Sequence, residues 1–298
     1  MKSAKKSAMQ NAMKYPKANT PIILCSVLIL ISTLATHTPV YAGDPPTIQF
    51  KEAGKLVKKL TLEELGKLVS AEKIKVNELH EKSQMEYQAF RFKSVLDAIY
   101  GKRWSKTEEI LFTCSDGYQP SVPQAKIEAY PSFLAFGRPD HDFTLTYEKK
   151  LIPLGPFYLI WDNIHTEELK WEDMGDWPYQ VTTVDLIRFQ DHFPNLAPPE
   201  KSSAAAKRGF LTYRKNCLTC HTINGEGGNK APELNYPINI LEYYSEKWLK
   251  KWISDPTSIR YRTGMPAFNP EAQNRAQKIE DLVAYLRAMG KNKKKPHQ

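Results

Sequence analysis

Apolar residues recur along the chain with two different periods, and the period changes near one pair of prolines. Ahead of that pair, Leu62, Leu65 and Leu68 recur at helical spacing behind Thr61 and Glu64, which together form a capping box. Ser94 and Asp97 stand in a similar relation and predict the opening of a second helix through Val95, Leu96 and Ile99. Phe90 with Phe92, and then Ile110, Phe112 and Cys114, alternate as half-buried strands do. Leu159 with Trp161 and the run Val181 to Leu186 predict further strands, and Ser115-Asp116-Gly117 reads as a turn. Helices interspersed with several strands define an α+β region. Beyond the prolines the pattern is helical throughout. Ala206, Phe210, Tyr213 and Cys217 share one face, Tyr244, Trp248 and Trp252 a second, and Ile279, Leu282, Val283, Leu286 and Met289 a third. The expectation is therefore an α+β domain followed by an all-α domain of three helices.

The boundary falls in Asn195-Leu196-Ala197-Pro198-Pro199-Glu200-Lys201-Ser202-Ser203, which no periodic pattern crosses. Residues 43–195 then form the α+β domain, 196–202 a linker, 203–290 the helical domain and 291–298 a basic tail. A chain of 298 residues can bury a core in each of two domains. Residues 1–42 read as a signal peptide: a basic stretch, an apolar run from Ile22 to Leu34, and small residues at Val40-Tyr41-Ala42 ahead of Gly43. The run is short of the ~20 residues that a bilayer span needs. Export to the periplasm is the expectation, with an uncleaved anchor as the alternative and membrane contact at most peripheral. Cys25 would leave with the signal.

Charge changes this picture little. Of the formal +9, five lysines lie in residues 1–42, which leaves +4, and Lys291, Lys293, Lys294 and Lys295 match that remainder. The body is close to neutral and the tail reads as a solvated terminus, so no nucleic-acid partner is implied.

The cysteines left after residue 42 are Cys114, Cys217 and Cys220, an odd number that excludes a disulfide framework. Cys217-Leu218-Thr219-Cys220-His221 has the order and spacing of a c-type haem attachment sequence. Two thiols three residues apart at a helix end can reach both vinyl groups of one porphyrin, and the next histidine then lies under the iron. A thioredoxin-like pair would be expected near a βαβ pattern, and a four-thiolate zinc site would need a second cysteine pair that this chain lacks. One covalent haem c is the reading, with His221 as axial ligand. Met265, between Gly264 and Pro266 in a non-helical stretch, is the candidate for the second ligand, whereas Met289 lies on the last predicted helix. A thioether opposite histidine favours the reduced iron and raises the potential, as expected of an electron carrier. The other possibility is a bis-histidine site, but between the linker and His297 there is no histidine besides His221.

With these motifs in place, residues ~203–290 resemble a class I cytochrome c domain. The resemblance implies that Gly209 and Phe210 on the first helix face Tyr285 and Leu286 on the last. It also implies that the carbonyl of Pro232 accepts a hydrogen bond from His221, which would set the tautomer and orientation of the imidazole. Gly225, Gly227 and Gly228 would let the intervening loop turn beside the porphyrin.

Residues ~48–195 resemble the oxidoreductase molybdopterin-binding domain of the sulfite oxidase type, on Tyr87-Gln88-Ala89-Phe90, Phe112-Thr113-Cys114-Ser115-Asp116-Gly117-Tyr118-Gln119-Pro120 and Leu154-Gly155-Pro156-Phe157. That family follows its metal-binding cysteine with basic residues. Ser115 to Gln119 contains none, so the domain reads as a degenerate relative without molybdopterin, and Cys114 as a small apolar residue. His80, His141, His165 and His192 lie at no metal-ligand spacing and read as surface or satisfied residues. The acids Glu167, Glu168, Glu172, Asp173 and Asp176 around Trp171 and Trp177 read as a solvated loop. The leading expectation is an exported monohaem cytochrome that passes single electrons between redox partner proteins. Its rival is an enzyme that oxidises a small substrate at a pterin-bound metal in the first domain and passes the electrons to the haem.

Overall fold

The computed structural model describes residues 45–147, 150–169 and 174–296. Residues 1–42, expected to be a signal peptide and containing Cys25, the residues Trp171, Glu172 and Asp173, and His297 lie outside them.

The first part of the chain runs β1 (Thr47–Glu52), β2 (Lys55–Thr61), α1 (Leu62–Leu68), β3 (Ala71–Glu78), β4 (Ser83–Arg91), α2 (Phe92–Tyr100), β5 (Glu109–Cys114), β6 (Ser121–Pro123), α3 (Gln124–Ala129), β7 (Ser132–Gly137), β8 (Thr144–Tyr147), β9 (Lys150–Pro153), β10 (Tyr158–Trp161), β11 (Val181–Ile187) and α4 (Phe189–His192). Two sheets carry it. One has the order β2-β1-β11-β5-β6, antiparallel except where β1 lies parallel to β11; the other is the antiparallel order β10-β7-β4-β3. Thr61 and Glu64 close the capping box at the head of α1. The alternation through β5 buries Ile110, Phe112 and Cys114 in the core that the two sheets share.

Two expectations are corrected here. Helix α2 opens at Phe92, with Arg91 as an N-cap that makes no side-chain bond, while Asp97 accepts a hydrogen bond from Trp104 Nε1 (2.7 Å). Phe92 thus starts the helix and does not continue the strand of Phe90. Its ring packs 5.6 Å from that of Phe112, and burial outweighs the local capping preference of Ser94. Asp176 and Trp177 are not part of a solvated loop: Trp177 is buried and Asp176 pairs with Lys126 at 2.5 Å. Glu167 and Glu168 are exposed, as expected.

The histidines have partners or solvent. His80 bonds the buried Glu78 (2.8 Å), His165 bonds Asp162 (2.9 Å), His192 packs edge-on against Phe193, and His141 is exposed. Burial alone would raise the Glu78 carboxyl, but hydrogen bonds from His80 and Tyr87 hold it below the usual carboxylate range.

The second part runs α5 (Ala204–Asn216), β12 (Thr222–Ile223), β13 (Glu226–Gly227), α6 (Ile240–Tyr243), α7 (Glu246–Ser254) and α8 (Arg275–Gly290). It is thus mainly helical, with a short hairpin and a fourth, one-turn helix that the apolar pattern did not predict. Ser203 caps α5, and α5 crosses α8 closely: a Cβ at Gly209 would lie 1.9 Å from the Asp281 carbonyl oxygen. Phe210 and Tyr285 stack with centroids 5.6 Å apart. Ile279, Leu282, Val283, Leu286 and Met289 are buried on α8, as the third periodic face predicted.

The helical core extends across the expected linker. Leu111, Ile187, Phe189, Phe193 and Leu196 belong to it, Arg214 lies 3.6 Å over the Phe189 ring and pairs with Glu109, and Tyr285 Oη donates to the Leu196 carbonyl (2.7 Å). All the described residues fall in one compact unit. The lysines of the basic tail are exposed, as expected, but its main chain is tethered to the body. Lys294 donates from its main chain to Asn224 Oδ1 (3.0 Å) and from Nζ to Asn195 Oδ1 (2.9 Å), and Asn224 Nδ2 donates to the Asn292 carbonyl (3.1 Å).

Candidate functional site

Helix α5 ends where Cys217 leaves helical geometry, and the chain then wraps one tight turn. The N–H groups of Cys217 and Leu218 both bond the Tyr213 carbonyl, and those of Cys220 and His221 both bond the carbonyl of Cys217. This turn brings the two thiols and the imidazole into one segment at the helix end. Neither cysteine is in a disulfide. Burial pushes the Cys217 thiol up to about 12, and it pushes that of Cys220 up as well, against the hydroxyl of Thr219 and the charge of Lys230. The buried Tyr213 anchors the turn from below, donating from its hydroxyl to the His221 carbonyl (2.8 Å).

After His221 the chain forms the β12–β13 hairpin through Asn224-Gly225, both at positive φ, which is the dipeptide that a tight hairpin turn favours. Gly228 then passes so close to the attachment turn that a Cβ would lie 2.0 Å from the Thr219 carbonyl oxygen. This return places the Pro232 carbonyl 2.7 Å from His221 Nδ1. The ring nitrogen must donate in that bond, which leaves Nε2 with the free lone pair that a metal ligand needs. Burial lowers the His221 pKa, partly offset by Pro232 and Glu233, so the neutral ring is favoured.

Sequence reasoning missed the network that holds this loop. Glu233 accepts from the main-chain N–H groups of Asn224, Gly225, Asn235 and Tyr236. Asn235 Nδ2 donates to Asn224 (2.7 Å), Asn239 Nδ2 donates to Asn235 (2.7 Å), and Asn239 also reaches the Leu286 carbonyl on α8. The pair Asn224-Gly225 was the one visible signal, as a turn dipeptide.

Met265 lies in the irregular segment between α7 and α8, half-buried against the same apolar core that Cys217 edges. Its Sδ accepts from Trp252 Nε1 at 2.8 Å. Trp248, one turn earlier on α7, is half exposed, Tyr244 is exposed at the foot of the helix, and Tyr261 is 82% exposed. The face that Tyr244, Trp248 and Trp252 were expected to bury therefore stays largely open. A cleft of about 320 Å³ runs between Leu211, Thr212, Lys215 and Asn216 on α5 and Phe268 and Ala272 beyond Met265.

A flat, apolar, iron-bearing group fits these residues. Two cysteine thiols three residues apart, an imidazole with Nδ1 already engaged, a thioether and a set of large exposed apolar side chains are the donors and the surface that haem c requires.

Residues 206–290 match the Cytochrome c family model, and this part of the chain is a cytochrome c domain. Two similar proteins have related segments. Cytochrome c oxidase subunit 2 of Alkalihalophilus pseudofirmus is 30% identical over 97 residues, 30% of this chain and 27% of that protein. A nitric oxide reductase subunit from Stutzerimonas stutzeri is 26% identical over 102 residues, 32% of this chain and 65% of that protein. The match thus spans less than two thirds of the length of either relative.

Proposed function

We propose that this chain is an exported monohaem cytochrome that transfers single electrons between redox proteins. Cys217 and Cys220 hold the haem covalently, His221 and Met265 are its axial ligands, and Pro232 fixes the imidazole of His221. The bound group supplies a one-electron iron couple, and a thioether opposite histidine favours its reduced state. The observation that carries the reading is the 2.7 Å bond between His221 Nδ1 and the Pro232 carbonyl beside the Cys217 and Cys220 side chains, because it presents Nε2 in the tautomer that ligates. The likeness to proteins of cytochrome c oxidase and nitric oxide reductase supports redox proteins as partners. The basic stretch, apolar run and small-residue site of residues 1–42 support export and a periplasmic location, and among the described residues no helix is long and apolar enough to cross a membrane.

The β-rich region enters this proposal as a degenerate relative of the molybdopterin-binding domain that carries no metal. Cys114 supports that reading: it is 3% exposed within the sheet core, and burial pushes its thiol well above the usual range. Metal analysis of the purified chain separates the carrier from the enzyme, since only the enzyme contains molybdenum in proportion to iron.

The central test is Cys217→Ala with Cys220→Ala in a host that attaches haem c. The parent retains its haem through denaturation and extraction, and the double variant loses it; haem that stays bound in the double variant overturns the proposal.

A further inference from the structure

The loop Ser115–Gln119, which joins β5 to β6, leaves the β-rich region and lies on the attachment segment itself. Two main-chain bonds close the contact: Gln119 N–H donates to the Thr219 carbonyl (2.8 Å), and Asn229 N–H donates to the Gly117 carbonyl (2.8 Å). Thr219 is one of the two residues between the attachment cysteines. The Lys230 ammonium pairs with Asp116 at 2.6 Å and sits 5.3 Å from the centroid of Tyr118 and 5.9 Å from that of Tyr179. Gly117 has φ +85°, and a Cβ there would lie 2.8 Å from the Asn229 carbonyl carbon, so only glycine lets the two backbones come this close.

We propose that Ser115–Gln119 is an intramolecular lid on the Thr219–Cys220 side of the haem-attachment segment, which keeps water from that side and thereby raises the midpoint potential of the haem. The proposal rests on the haem reading above. Oxidation adds a positive charge to the iron, and a site shielded from water stabilises that charge less, so burial favours the reduced state.

The test uses the full holoprotein and two charge-neutral variants. Gly117→Val drives a side chain into Asn229. Gln119→Pro removes one N–H donor at a residue that already precedes a proline, and it serves if the strained backbone at 117 tolerates no side chain. Midpoint potential is read by spectroelectrochemical titration, and lid opening by hydrogen exchange of the peptide containing Asn229. Both variants should keep covalent haem and the spectral band of methionine ligation, exchange at Asn229 at least tenfold faster, and show a lower potential. A tenfold change in the oxidised-to-reduced ratio against a fixed donor corresponds to ~59 mV for one electron. Unchanged exchange in both variants overturns the lid, and faster exchange at an unchanged potential overturns its effect on the haem. Loss of methionine ligation in both would make the loop part of the ligand scaffold and overturn its role as a lid. A parent chain that purifies without covalent haem overturns the haem reading itself, a result distinct from each of these.

Discussion

The β-rich and helical regions satisfy their apolar residues in different ways. In the β-rich region the two sheets close on one another, and Trp104, Trp161, Trp177, Tyr87 and Phe112 are all fully buried or nearly so. The helical region is smaller, yet it leaves Leu211, Ile238, Tyr243, Tyr244, Trp248, Ile259 and Tyr261 exposed, most of them between the attachment turn and Met265. A region of this size cannot afford so much uncovered apolar surface from its own chain alone. The difference teaches that the β-rich core is closed by its own sheets, whereas the helical region keeps a surface of large apolar side chains that the haem proposed above would use. The helical core is also supplemented from the other side, by Leu111, Ile187, Phe189, Phe193 and Leu196.

The comparison breaks most sharply at the methionine. Met265→Ala should keep covalent haem but abolish the optical signature of methionine ligation to oxidised iron, with a fall in midpoint potential. An unchanged spectrum would move the second ligand to another residue.

The next effect concerns how far the helical core is self-sufficient. A fragment from Glu200 to Lys295 should attach haem and keep its axial ligands. It should also be less stable than one from Arg188, because it lacks Phe189, Phe193 and Leu196, each of which contributes roughly 1.5–3 kcal/mol when fully buried. Equal denaturation midpoints for the two haem-loaded fragments would show that the core ends at the prolines after all.

A smaller effect tests the bond that spans the two regions. Tyr285→Phe removes the hydroxyl that reaches the Leu196 carbonyl and leaves that carbonyl without this donor, at a cost of about 1 kcal/mol. Chemical denaturation of the holoprotein reads it, and a loss below the error of that method would make the bond dispensable.

The smallest is a pH effect confined to the β-rich region. Burial pushes the Asp185 carboxyl up to about 6, against the Gly54 N–H group that favours its charged form. The folded state therefore holds the proton more tightly than the unfolded one. Asp185 stabilises the protein below the unfolded carboxylate pKa, and that contribution is lost as pH rises from about 4 through about 6. Asp185→Asn, which can still accept from Gly54, should flatten the stability profile in that window while leaving the haem spectrum unchanged. A profile as steep as the parent's would assign the slope elsewhere.

Much of the candidate site was legible because its chemistry is local. Cys217, Cys220 and His221 are neighbours, and one helical turn is enough to gather them. Met265 stood out by lying in a Gly-Pro context, with no histidine besides His221 between the linker and His297 to compete. The capping box of Thr61 and Glu64 and the buried face of α8 were legible for the same reason, since period and cap act over a few residues. Ser94 and Asp97 misled because their preference is worth less than the burial of Phe92 against Phe112, which lies on another strand.

Contacts between distant segments were decided elsewhere, by three-dimensional packing. Nothing in the prolines at 198 and 199 reveals that Leu196 is buried under Tyr285, because both partners look like ordinary apolar positions until the chain folds. The basic tail reads as a solvated charge run, yet Lys294 is held by Asn224 and Asn195 through polar groups with no periodic signature. Gly117 stands in the chain as a turn residue, which it is. That the same glycine also makes room for Asn229 depends on a backbone more than a hundred positions away. The order of residues encodes period, spacing and ligand chemistry, whereas steric fit between remote backbones exists only once the sheets and helices have brought them together.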